Sequence, residues 1–153
     1  MAFELTSSAF KQNEAMGKDY TCDGPDMSVP LKWKDAPERT RSFALVVDDP
    51  DAPRGTWVHW VLYDLPADVG ELSSAIGHED SLPDGTKQGK NDFGKIGYGG
   101  PCPPAGPAHH YHFKLYALDQ MTGLKSKATK QQLLDAMKGH VLAEAKLIGT
   151  YKR

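Results

Sequence analysis

Residues 42–48 contain the longest unbroken apolar run in the chain, Phe43-Ala44-Leu45-Val46-Val47. A run without alternation predicts a strand covered on both faces, and therefore a central one. Residues 58–65 form the next apolar segment, and here the pattern alternates. Val58, Trp60 and Leu62 fall on one face, and His59, Val61 and Tyr63 on the other, with Trp57 sharing the parity of His59. A third strand is predicted over 109–118, where Tyr111, Phe113, Leu115 and Ala117 share a face and His109 stands at the mouth on the same parity. Residues 31–33 are a short strand ended by Asp35-Ala36-Pro37, and weak alternation over 3–12 predicts an edge strand or extended arm.

Thr129 and Gln132 have capping-box spacing, Leu133, Leu134 and Met137 follow as an apolar stripe, and Gly139 is a stop signal, so a helix of about ten residues begins at Thr129. The segment 140–152 fits either period. Gly149-Thr150-Tyr151 is poor helix material, which favours a strand. Between these elements, 13–30 and 66–97 are rich in Gly, Asp, Ser and Pro and read as long loops. A loop as long as the second is often functional.

Size and charge narrow the picture further. The 153 residues fit one domain, 39 % apolar and 25 % charged, with a formal net charge of −2. That balance argues against nucleic acid as the main partner. No charged start followed by an apolar run marks a secretory leader, and no run approaches the roughly 18 apolar residues of a membrane span, so the expected compartment is the cytoplasm. Two cysteines, Cys22 and Cys102, are too few for a disulfide scaffold and lack metal-type spacing. The sequence leaves open whether they pair.

Two stretches concentrate the chemistry. Residues 97–113 run from Gly-Tyr-Gly-Gly-Pro-Cys-Pro-Pro straight into the third strand, so a stiff turn delivers the His109 imidazole and the Tyr111 phenol to one place. Residues 48–60, Asp-Asp-Pro-Asp-Ala-Pro-Arg-Gly-Thr-Trp-Val-His-Trp, are again turn chemistry leading into a strand that carries a histidine.

Together, Asp49-Pro50-Asp51-Ala52-Pro53 with Trp57-Val58-His59, and residues 100–104 with His109-His110-Tyr111, resemble the phosphatidylethanolamine-binding protein family, in its short bacterial and archaeal branch. The resemblance covers nearly the whole chain. It implies a mainly β fold: a large central antiparallel sheet packed on a smaller one, Greek-key topology and a short C-terminal helix. It also implies a small anion-binding cavity at one end of the large sheet, lined by Asp49, His59, His109 and Tyr111 and walled by Trp57, Pro50, Pro53 and Pro104, with Cys102 beside it. The family pattern further implies a cis Ala52–Pro53 bond and, from its microbial members, a homodimer. It implies a kinase or serine protease as protein partner, although the long C-terminal helix flanking the pocket in animal members is missing from this pattern.

The residue types suit an anion of phosphate type, as on a phospholipid head group or a phosphorylated side chain. Histidine N–H groups, a tyrosine hydroxyl and backbone N–H groups over 99–102 are donors. Asp49 fits either as an acceptor that orients a histidine or as a protonated donor. Three functions follow as expectations: a non-enzymatic binding module without cofactor or metal, a protease or kinase modulator acting through the loops 13–30 or 79–95, and a hydrolase with Cys102 as nucleophile. His109, His110 and His112 cluster in sequence, but strand alternation turns the last two away from the first, which disfavours a metal site.

Overall fold

A computed structural model describes residues 2–153. The strands are β1 (Glu4–Thr6), β2 (Leu31–Lys34), β3 (Ser42–Asp49), β4 (Trp57–Pro66), β5 (Glu71–Leu72), β6 (Lys87–Gln88), β7 (His109–Leu118) and β8 (Val141–Tyr151), with one α-helix, α1 (Lys130–Met137). They form two antiparallel sheets, a small one in the order β1-β2-β5 and a large one in the order β6-β4-β3-β7-β8. In the large sheet β3, β4 and β6 lie side by side and the chain then returns to set β7 against β3, which is the Greek-key path.

All eight residues of β3 are buried, because each face of this central strand has its own cover. Phe43, Leu45 and Val47 point into the core shared with the small sheet, where Trp33 meets Phe43 edge-on at 5.5 Å between ring centroids. Ala44 and Val46 point the other way, into a second cluster with Leu133 and Met137 of α1. Odd residues Tyr111, Phe113, Leu115 and Ala117 of β7 all join the first core, as the alternation predicts. The helix starts at the capping box, with the Gln132 backbone N–H donating to Thr129 Oγ1 and the Thr129 N–H to Gln132 Oε1. It is eight residues long, and Gly139 follows at φ 80°. The ambiguous segment 140–152 is strand, as its glycine and threonine favour, and the segment 66–97 holds only the two-residue strands β5 and β6.

Strict alternation fails in β4. Trp60 pairs with Val47 but Val58 pairs with Asp48, so His59 is an extra residue in a β-bulge. Val58 therefore joins the helix-side cluster while Trp60 and Leu62 join the other core, against the single face expected for all three. His59 is correspondingly separated from Val61 and Tyr63, which lie on the helix side. A second irregularity follows at Asp64, whose φ is 57°. Its buried carboxylate is held by Lys87 Nζ at 3.0 Å and by the Thr122 N–H at 2.8 Å.

The Ala52–Pro53 bond is trans, not cis, as is every described peptide bond. Pro53 follows Ala52 in a tight turn closed by the Gly55 N–H donating to Ala52 C=O at 3.1 Å, with Gly55 at φ 111°. A trans proline suits the second position of such a turn.

Candidate functional site

Three neighbouring strands end at the same edge of the large sheet, and each brings one group. Asp49 closes β3, Trp57 opens β4 directly opposite it, and His109 opens β7. Asp49 Oδ1 accepts the Asp51 N–H at 2.8 Å, so the Asp-Pro-Asp turn is built on this carboxylate. Its other oxygen lies 2.7 Å from His109 Nδ1. Asp51, two residues on, repeats the arrangement with His110, accepting both the His110 N–H and His110 Nδ1–H at the exposed rim. The imidazole beside it holds the Asp51 carboxyl below the usual carboxylate range. Two successive carboxylates thus fasten the 50–56 loop to two successive histidines.

The bulge gives His59 its place. Turned toward β7, its ring meets Tyr111 at 5.2 Å and 83°, and Phe93 at 5.4 Å and 69°. His59 C=O accepts the Gly99 N–H at 2.9 Å, and His59 Nδ1 lies 2.6 Å from Gly99 C=O. A carbonyl only accepts, so Nδ1 carries a hydrogen and Nε2 is the free ring nitrogen. Burial pushes the imidazole below the ordinary histidine range, and the Gly99 carbonyl and the Asp49 charge only partly oppose it. Burial, followed by the Asp49 charge, likewise drives the Tyr111 phenol far upward, so this side chain remains an O–H group.

The wall opposite is the 97–104 loop, fastened to the 18–27 loop at four points. Cys22 and Cys102 form a disulfide, the Cys22 N–H donates to Pro101 C=O at 3.1 Å, the Gly100 N–H to Asp26 Oδ1 at 2.9 Å, and Tyr98 Oη to Tyr20 C=O at 2.7 Å. The approach is so close that a Cβ on Gly100 would stand 2.1 Å from Asp26 Oδ1 and 2.4 Å from Tyr20 C=O. Phe93 lies flat enough on Gly99 that a Cβ there would meet its ring at 2.5 Å. These bonds also revise the expected backbone nest: the N–H groups of Gly99 and Gly100 are spent, Pro101 has none, and only that of Cys102 remains of the four.

Together these elements enclose a crevice of about 320 Å³. Of the residues expected there, Asp49, Pro53, Trp57, His59, Cys102, Pro104, His109 and Tyr111 line it and Pro50 does not. Pro50 follows Asp49 outward into the exposed turn, and Pro103 provides the wall instead. Reasoning from sequence missed Arg54 and Phe93, which also line the crevice. Phe93 is 41 % exposed and meets the half-exposed Trp57 at 5.5 Å, making an aromatic lip. Its only signal was a lone aromatic between Asn91 and Gly94, and Asn91 Oδ1 does organise that turn by accepting from the N–H groups of Phe93 and Lys95. The disulfide removes Cys102 as a nucleophile, because no free cysteine exists among the described residues. Among those residues no group of three His, Cys, Asp or Glu is placed to hold a metal ion.

Fold and crevice define a class: a mainly β protein of two antiparallel sheets with a rigid, histidine-lined crevice at the edge of the larger one. Over residues 6–152 the chain matches the family model described as phosphatidylethanolamine-binding protein, and it belongs to that family. Similar chains occur in archaea and bacteria. A UPF0098 protein of Methanothermobacter thermautotrophicus is 48 % identical, over 97 % of this chain and 98 % of the relative. Another, of Aquifex aeolicus, is also 48 % identical, over 98 % of this chain and 88 % of the relative. Among solved structures, a phosphatidylethanolamine-binding protein homologue from Chlamydia trachomatis superposes with a TM-score of 0.91 at 40 % identity, covering 99 % of this chain and 98 % of its own. YbcL of E. coli, described as a new member of the mammalian family, gives 0.92 at 36 % identity and covers 100 % of this chain and 99 % of its own.

Proposed function

We propose that this chain is a non-enzymatic binding protein whose crevice receives a phosphate-type anion. The observation that carries this reading is the Asp49–His109 couple. The carboxylate fixes Nδ1–H of the imidazole, and when His109 is protonated the pair becomes a charge-assisted bond that leaves Nε2–H free to donate into the crevice. Tyr111 Oη–H is a second donor and Arg54 contributes a permanent cation at the rim. Asp49 already accepts two N–H groups, which favours its role as an orienting acceptor over that of a protonated donor. Pro53, Pro103 and Pro104 keep the wall stiff, so that little conformational freedom is lost when a ligand enters.

Calorimetry with phosphoethanolamine at pH 6 tests the reading. His109→Ala is expected to weaken binding at least about tenfold, the loss of one charge-assisted bond; affinity equal to that of the unaltered protein removes the proposal.

A kinase or serine protease partner, and a second copy of the chain, have no comparable site among the described residues to argue from. The 13–30 loop, one of the two expected to engage a kinase or a protease, is fastened to the crevice wall by the disulfide. No described helix is long and apolar enough to cross a membrane. For the compartment, the exposed Cys22–Cys102 bond weighs against the reducing cytoplasm expected from the sequence, since such bonds persist in oxidising surroundings.

A further inference from the structure

The two crevice histidines are not equivalent. Each has its Nδ1–H committed, His109 to a carboxylate and His59 to the Gly99 carbonyl, so each offers Nε2. At His109 the Nδ1 partner is the Asp49 carboxylate, an anionic acceptor. His59 is 3 % exposed, packed between the edges of Tyr111 and Phe93, and its Nδ1 partner is a neutral carbonyl. The nearby charges are the carboxylates of Asp49, Asp26 and, from the helix side of the sheet, Asp48, with Tyr111 and His109 beside the ring and Arg54 at the rim, and burial outweighs the three carboxylates. A neutral imidazole with Nδ1–H fixed carries a lone pair on Nε2, so it is an acceptor.

An acceptor in an anion crevice is a mismatch for a bare oxygen. Two lone pairs would face each other with no hydrogen between them, and an unmet polar contact in a dry site is costly. The mismatch vanishes if the ligand brings its own proton. We propose that the crevice selects a phosphomonoester in its singly protonated form, whose P–OH donates to His59 Nε2 while its unprotonated oxygens accept from His109 Nε2–H, Tyr111 Oη–H and Arg54. Phosphate monoesters have a second pKa of about 6 and so hold this proton in mildly acidic solution. Sulfate esters and phosphodiesters carry the same single charge with no proton to give. This selection rests on the anion-binding reading above and adds to it a choice among anions of equal charge.

The test compares methyl phosphate with methyl sulfate by calorimetry at pH 5.5, where the two ions match in shape and in their single charge and differ by one hydrogen. Methyl phosphate is expected to bind at least about tenfold more tightly, because methyl sulfate leaves the buried His59 Nε2 unpaired. Equal affinity, or tighter binding of methyl sulfate, overturns the selection while leaving the anion site intact; binding of neither ion overturns both. Nitrogen-15 NMR of the imidazoles in the methyl phosphate complex is the second measurement. His59 is expected to remain the Nδ1–H tautomer with Nε2 unprotonated, and an imidazolium at His59 in the complex overturns the proposal. Sedimentation with vesicles containing phosphatidic acid, competed by methyl phosphate, tells a lipid carrier of the monoester from a soluble one.

Discussion

His112 is a histidine outside the crevice that shares a direction of titration with His59. Burial lowers both, and around His112 the nearby Lys114 and Lys146 add to burial while Asp48 opposes it. A histidine held below its unfolded value binds fewer protons in the folded state, so stability rises with pH between the lowered value and about 6.5, the unfolded one. The protein is therefore expected to melt at a lower temperature at pH 5 than at pH 7.5. His112→Gln should flatten that slope without changing phosphoethanolamine affinity, because His112 faces away from the crevice. Melting curves from pH 5 to 7.5 check this, and an unchanged slope in the variant rules His112 out as a contributor. Asp51 acts in a different window: its lowered carboxyl adds stability that disappears only as pH falls below about 4.

Among the elements, the 97–104 loop shows how tightly the wall is set. Gly100→Ala forces a methyl group into backbone and carboxylate at 2.4 Å and 2.1 Å, and neither Tyr20 C=O nor Asp26, held by the Gly100 N–H, can give way without breaking a wall contact. Overpacking of this kind costs about 1–3 kcal/mol. Gly100→Ala is expected to lower both denaturant stability and phosphoethanolamine affinity; a variant that keeps both would show that the wall is looser than this contact implies. Element scale is also where sequence reading succeeded and failed most clearly. The unbroken apolar run at 43–47 identified a doubly covered strand because both covers are apolar, and the Thr129–Gln132 spacing placed the helix because a cap is local chemistry. The bulge at His59 left no mark, since inserting one residue alters parity without altering composition. Two motifs 50 residues apart pointed, through the family resemblance they carry, to one crevice for His59 and His109, and both line it. Arg54 and Phe93 stayed hidden because loop residues have no period, and their positions depend on how distant loops are tied.

For the whole molecule, the disulfide is the long-range tie. It joins residues 80 positions apart, and in the chain-entropy account closing a loop of that length stabilises by about 4.5 kcal/mol. The Cys22→Ser, Cys102→Ser double variant is expected to lose roughly 2–5 kcal/mol in denaturant titration. Its anion affinity should weaken too, because the bond anchors the crevice wall; full retention of both properties would mean that the remaining hydrogen bonds suffice. Arg153 reinforces the same corner from the end of the chain, with its guanidinium 3.4 Å from Pro103 C=O and 3.2 Å from Asp23. The ties that hold the fold and the wall of the crevice thus meet in one corner.

β3 ends in two carboxylates that serve opposite sides of the sheet. Asp49 belongs to the crevice, while Asp48, 1 % exposed, takes Lys130 at 2.8 Å and Lys114 at 3.3 Å on the helix side. Adjacent residues on a strand exchange sides under a shift of one position. A single-residue insertion ahead of this pair would therefore hand the crevice a carboxylate destined for two ammonium groups and strand the ammonium groups without one. The lining of the crevice and the seating of the helix thus share one register, and a slip that disturbs either disturbs both.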